Sequence, residues 1–378
     1  MRNCTGRQDV IERAGPVFIG SEVYRRPAYG ANHPLGIARV ETAVDLCRAL
    51  GWLGEGVRQS SAASASQLTG FHTADYVAAL RRADEERRVT AEDRDRFNIG
   101  TLENPVFPGV YERAATAVGG SILAATCALE GRIAYHPAGG THHARAGAAN
   151  GFCYFNDPVF AILTLLGSGL GRVAYVDLDA HHGDGVEDAF AADCRVFTLS
   201  IHEAGRWPGT GASGDRRQGR ARNFPVPQGI NDTEFGFLID EAVLPLLDRI
   251  RPEAVVITAG ADPLKGDPLS RMALSNGLLW SAVARVASVS RAAVVLGGGG
   301  YNPWTLSRFW AGLWGVIAGK TVPDDLPPPA QLILGKLSCD LVDDEEIEPQ
   351  WITSLRDLPN SGPIRREIVE LRDVALAP

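Results

Sequence analysis

The stretch Val173-Ala174-Tyr175-Val176-Asp177-Leu178-Asp179-Ala180-His181-His182-Gly183-Asp184 decides how this chain is read. Its first four residues form an apolar run of the kind that a strand covered on both faces requires. The run then stops in three acids and two histidines. In open α/β sheets, ligands bind beyond the carboxyl ends of the strands, so the cluster stands where a site is expected. Side chains alternate along an extended segment, which puts Asp177, Asp179 and His181 on one face. Two carboxylates and an imidazole directed at one point suit a divalent metal, with zinc the first candidate. The plainer alternative is a row of loop acids and helix caps in water. It fits poorly, because crowded acids repel one another unless a cation or the histidines offset them.

Working outward, further apolar runs read as strands at 17–19, 133–135, 196–201, 254–258 and 292–296. Between them lie stretches with helical spacing: 37–50, one opening at Phe71 with Thr73 as its cap, 111–129, 159–166, 234–250 and 274–290. Gly119-Gly120 in the third of these allows close packing at a cost in helix propensity. Residues 56–68 read as a connection, 81–96 as a solvated helix face, and 203–231 as one long loop of the kind that is usually functional. Strands alternating with helices predict an α/β fold, three-layered, with a mostly parallel sheet and helices on both faces. Polar residues follow strands in both halves and build one site, which favours one domain.

The 378 residues are 45% hydrophobic and 22% charged, an ordinary globular composition. A net charge of -8 argues against nucleic acid as a partner and accommodates a cationic substrate. Six cysteines (4, 47, 127, 153, 194 and 339) form no C-x-x-C pair, which suits a reducing compartment. There is no signal-peptide pattern and no apolar run long enough to span a bilayer, so a cytoplasmic location is the expectation.

Other strand ends deliver His142 and His143, His202, Asp262 and Tyr301. Asp262 completes a set with Asp179 and His181, and three protein ligands leave a position open for catalysis. Read alone, Asp262 serves equally as a cap and Tyr301 as a packing aromatic. One of the paired histidines can supply a general base, with Asp177 and Asp184 orienting the imidazoles.

Taken in order, the segments GGTHHA (139–144), GFCYFND (151–157), YVDLDAHHGDGVEDAF (175–190), PGTG (208–211), AGADPLKGDP (259–268) and LGGGGYN (296–302) resemble those of the zinc-dependent histone deacetylases and their bacterial relatives. The likeness covers roughly residues 17–320, in the class I and acetoin-utilisation branch. It implies the arginase/deacetylase fold, a catalytic domain over 1–320, and an extension over 321–378 packed on it. It implies Asp179, His181 and Asp262 as zinc ligands, with ferrous iron suited to the same donors. His143 matches the general base with Asp184 as partner, His142 its companion with Asp177, and Tyr301 the donor to the substrate carbonyl. Gly151, Phe152 and Trp207 match the acyl-lysine tunnel, Leu269 its rim, and Glu103 an acid that holds the substrate backbone. A structural potassium ion would use Asp177, Asp179, His181, Ser200 and Ile201.

Three departures stand out: Ala261 where many class II and polyamine-type members carry Phe, Glu103 in place of Asp, and Trp207 where Phe is common. The implied activity is removal of acetyl or other acyl groups from protein lysines by metal-activated water, releasing acetate. The alternative is deacetylation of small acetylated amines such as polyamines. A two-manganese ureohydrolase needs a second Asp-x-Asp pair, and Gly260 stands in its place. A non-catalytic binding module would have lost Tyr301, a dyad histidine or a ligand. Acyl length, natural substrate, oligomeric state and the role of residues 321–378 are not legible in the sequence.

Overall fold

The computed structural model describes residues 14–30, 32–54 and 57–377. Cys4 and Gly56 lie outside the described residues. Eight strands form one sheet: β1 (Val17–Gly20), β2 (Val57–Gln59), β3 (Ile133–His136), β4 (Val173–Asp177), β5 (Val196–Glu203), β6 (Ala221–Val226), β7 (Ala254–Thr258) and β8 (Ala292–Leu296). Their order is β2-β1-β3-β8-β7-β4-β5-β6, and every pairing is parallel.

Successive residues of each central strand enter different cores. Ala174, Val176, Val255, Ile257, Ala293 and Val295 join one. Val173, Tyr175, Ala254, Val256, Val294 and Leu296 join the other. That is why the runs read as unbroken apolar stretches rather than as alternation. The helices Val40–Ala49, Asn276–Ser288 and Pro303–Ile317 cover the first face. The helices Val110–Leu129 and Asp157–Gly167 cover the second. Gly119 and Gly120 are required for this packing. A Cβ on Gly119 would collide with the Ser61 carbonyl, and one on Gly120 with the His136 ring.

Five expectations are corrected or refined. The 203–231 stretch contains β6, an edge strand hidden in the sequence by Arg222, Asn223 and Pro225, which only an edge tolerates. The 56–68 connection holds β2, the opposite edge, and a helical turn Ala65–Leu68 capped by Ser64. The 81–96 helix is two: Ala74–Glu86 ends at Arg87 in the left-handed conformation, and Ala91–Phe97 starts from Thr90. Thr73 occupies the cap position without accepting a helix N–H. Residues 234–250 are helical but widen into a π turn at Ile239–Val243, just before Pro245, whose missing N–H that turn accommodates.

Beyond residue 320, Leu334, Trp351, Leu355 and Ile368 are buried in the same core as Trp280 and Trp304. Asn276 Nδ2 donates to the Leu355 carbonyl at 2.6 Å. Arg308, fully buried, meets Asp357 Oδ1 at 2.7 Å and donates from Nε to the Ser354 carbonyl. Removing one partner of a buried ion pair leaves the other charge uncompensated. Asp357→Ala is therefore expected to destabilise the protein by about 3 kcal/mol, read as a lower urea midpoint.

Candidate active site

The sheet order places β8, β7 and β4 side by side, so their carboxyl ends converge. β4 leads to Asp179 and His181, β7 to Asp262, and β8 to Gly297–Tyr301. The ligand atoms of Asp179, His181 and Asp262 all lie within 4.8 Å of one another, and all three residues are buried. His181 Nδ1 is 2.8 Å from Asp262 Oδ2 and 3.3 Å from Asp179 Oδ1. The carboxylates are aimed by backbone donors: Gly299 N–H to Asp179 Oδ2 at 2.6 Å, and Ala180 N–H to Asp262 Oδ1 at 3.0 Å.

Glycine is obligatory around them. A Cβ on Gly260 or Gly298 would run into the Asp179 carboxylate, and one on Gly299 into that of Asp262. The space a side chain at 260 would need is taken by the Asp179 and Asp262 carboxylates, so no second metal-binding carboxylate stands there.

Charge in this space is unbalanced. Burial and the charge of Asp179 push the Asp262 carboxyl up to about 6. Burial opposes protonation of His181, yet its hydrogen bonds to Asp179 and Asp262 prevail and raise it to about 10. Two carboxylate oxygens and one imidazole nitrogen, buried and short of positive charge, are a donor set that fits a zinc ion with a free coordination position. Ferrous iron fits the same atoms.

The histidine pair sits beside this cluster, with ring centroids 3.9 Å apart. His142 Nδ1 is 2.7 Å from Asp177 Oδ2, and His143 Nδ1 is 2.8 Å from Asp184 Oδ1. For His142, burial is outweighed by the charges of Asp177 and Asp179 and by the Asp177 hydrogen bond, which raise it to about 9. For His143, burial and the neighbouring His142 push the imidazole well below its ordinary value, so it stays neutral. Asn156 Nδ2 donates to the carbonyls of both His142 and Ala144, and buried His72 accepts from the Asn156 N–H. Tyr301 is buried and burial raises its hydroxyl well above the usual range, so it keeps its proton as a donor. Its backbone N–H is fixed by Asp267 Oδ2 at 2.7 Å.

Phe152 and Trp207 flank the approach. Phe152, in the left-handed conformation (φ 66°), lies with its ring centroid 6.0 Å from that of Tyr301. Trp207, 43% exposed, packs edge-on to His143 at 4.6 Å. A side chain on Gly151 would strike both Trp207 and His143. His33 also belongs to this mouth, stacked on Tyr29 at 4.5 Å and edge-on to Phe152 at 4.7 Å.

Two of the expected substrate contacts have neighbours of their own within the chain. Glu103 Oε2 accepts from the side chains of Asn98 and Asn104, and Oε1 from the Gly151 N–H, so its carboxylate braces the loops of the mouth. Leu269 is half-buried, with its N–H on Asp267 Oδ1 at 2.9 Å. Asp177 and Ser200 are partners across β4 and β5, which brings the residues of the expected potassium set to one corner of the sheet.

The sequence reading missed Arg39. It lines a cavity of about 120 Å³ that extends from Tyr301 and the histidines past Tyr24 and Tyr29. Its Nη2 donates to the Gly298 carbonyl at 2.6 Å, its guanidinium lies 5.2 Å from the Trp310 ring centroid, and its Nε has no partner. A single arginine ahead of a helix carries no local signal of such a position.

Residues 33–317 match the family model of the histone deacetylase domain. The chain is 36% identical over 273 residues to histone deacetylase 8 of Xenopus laevis, covering 70% of this chain and 83% of that one. It is 35% identical over 309 residues to the histone deacetylase RPD3 of Saccharomyces cerevisiae, covering 79% and 71%. The crystal structure of a histone deacetylase homologue from Aquifex aeolicus superposes with a TM-score of 0.92 at 35% identity, covering 96% of this chain and all of that one. A homologue complexed with SAHA superposes with a TM-score of 0.91 at 34% identity.

Gly260→Ala should weaken retention of a divalent metal at this cluster by about tenfold or more, because the new methyl displaces the Asp179 carboxylate. Competition with a chromogenic chelator measures it.

Proposed function

The chain belongs to the histone deacetylase family and is a deacetylase of the hydrolase class, and on that premise we propose that it removes acetyl groups from lysine side chains of proteins at a single zinc site. The observation that carries the mechanism is the pairing of a neutral imidazole with a buried three-ligand cluster: His143 beside Asp179, His181 and Asp262. When bound, the ion supplies Lewis acidity, which polarises an acyl carbonyl and makes water acidic near neutrality.

The chain's own residues do the rest. With Nδ1 tied to Asp184, His143 has Nε2 free to take a proton from the attacking water. The Tyr301 hydroxyl donates to the oxygen that becomes negative, a contact of the kind that contributes several kcal/mol. His143 then returns the proton to the departing lysine amine, and acetate is left. His142, held charged between Asp177 and Asp179, keeps its neighbour neutral and adds positive charge beside the developing oxyanion. Phe152 and Trp207 would exclude water around the lysine methylenes, and Asp177, Asp179, His181, Ser200 and Ile201 would hold a structural potassium ion. In this reading residues 1–320 carry the chemistry and 321–378 support it.

Protein lysine is favoured over a free polyamine by the mouth. Glu103, the acid there, already accepts three hydrogen bonds from its own loops, while Leu102 beside it is 98% exposed and offers an apolar contact. A distal ammonium finds no free carboxylate in that loop, whereas a polypeptide finds a surface. The ureohydrolase reading loses its second metal at Gly260. Five free cysteines among the described residues suit a reducing, cytoplasmic setting.

The deciding experiment compares hydrolysis of an acetyl-lysine peptide with that of acetylputrescine, with chelator and with zinc added back. Chelator-sensitive turnover favouring the peptide is expected, and preference for acetylputrescine would overturn the protein-lysine assignment. Tyr301→Phe and His143→Ala should each lower kcat by roughly 10²-fold or more with the fold intact. Near wild-type rates for either would remove the role given to it.

A further inference from the structure

Asp184 divides its carboxylate between two partners. Oδ1 faces His143 Nδ1 at 2.8 Å, and Oδ2 accepts from Arg145 Nη2. The same guanidinium donates from Nη1 to the Asp184 carbonyl at 3.1 Å and to the Asp188 carboxylate. An arginine–aspartate pair on a surface is worth little, but here the aspartate side chain is 4% exposed and the arginine 34%. Among the described residues, no other lysine or arginine forms an ion pair with a carboxylate of the histidine pair.

The pairing continues along the helix Asp184–Ala189. Arg217, from the long loop before β6, reaches Asp188 Oδ1 at 2.8 Å and Glu187 Oε1 at 3.0 Å. Glu187 Oε2 accepts from Asn223 at 2.8 Å and lies 3.1 Å from His182 Nε2. His182 Nδ1 is 2.8 Å from the Thr210 hydroxyl, in the loop that carries Trp207. The helix is thus gripped by one arginine from the histidine loop and one from the side of the tunnel wall.

We infer that Arg145 is a positioning residue for the hydrolysis: it acts through Asp184 to hold the His143 imidazole in its working orientation and tautomer. The inference rests on the reading of His143 as the base. A carboxylate anchored at one oxygen turns about its Cβ–Cγ bond, and an imidazole hydrogen-bonded to it turns as well. Anchoring the second oxygen with a planar fork removes that freedom. A lysine would restore the charge at that point but not the fork that spans Asp184 and Asp188.

The test uses the zinc-loaded full chain and an acetyl-lysine peptide. Arg145→Gln is expected to lower kcat about tenfold with KM within about twofold, and Arg145→Lys to recover part of the loss. In an Asp184→Asn background, Arg145→Gln should cost less than about twofold, since the group it acts through is altered. An equal effect in both backgrounds, or a loss carried by KM alone, would overturn the inference. A second readout needs no turnover: the Nδ1–H proton resonance of His143, followed in protein labelled with nitrogen-15 histidine and assigned with His143→Ala. It should shift or broaden in Arg145→Gln, and an unmoved resonance would also overturn the inference. If the wild-type protein hydrolysed no acetyl-lysine peptide, the functional reading would fail while the resonance still decided whether Arg145 controls His143.

Discussion

Two carboxylates, those of Asp179 and Asp262, share one imidazole in a space almost closed to water, and the rest of the molecule is arranged to make that tolerable. Buried anions are costly unless they are paired and hydrogen-bonded. The pairing comes from His181, and the hydrogen bonds come from main-chain N–H groups at the ends of neighbouring strands. Those donors reach the carboxylates only because glycines stand where side chains would intrude. The four-glycine run after β8 is therefore part of the cluster, not a linker to Tyr301. What the arrangement still lacks is a positive charge, which a divalent cation would supply.

The same logic separates the two adjacent histidines. Chemically identical and with rings 3.9 Å apart, they are driven to opposite protonation states by what lies behind them. His142 has a fully buried aspartate at Nδ1 and a second at 3.9 Å from Nε2. His143 faces an aspartate that also serves an arginine, and it carries the repulsion of its charged neighbour. Pushing two like groups apart in this way gives one site both a charged and a neutral imidazole at the same pH.

How much of this is legible in the chain alone follows from range. The central strands are legible because a strand buried on both faces writes its environment into four or five consecutive residues. The candidate ligands are legible because they directly follow such strands, and the family likeness points to the same residues. β6 is not, because an edge strand tolerates Arg222, Asn223 and Pro225, which look like loop. Arg39 and Arg145 are not, because their importance lies in partners 259 and 39 residues away. The bracing of the mouth by Glu103 is not legible either, because its three donors, from Asn98, Asn104 and Gly151, are assembled only by the fold.

Trp351 lies under the catalytic corner. Its ring packs against Gly266, whose carbonyl accepts from Asn302, the residue after Tyr301, and it stacks on Trp304. Every ligand, both histidines and the tyrosine precede it in the chain. During synthesis they all leave the ribosome before the ring that buttresses them, so a nascent chain of 320 residues holds all of those groups without that support.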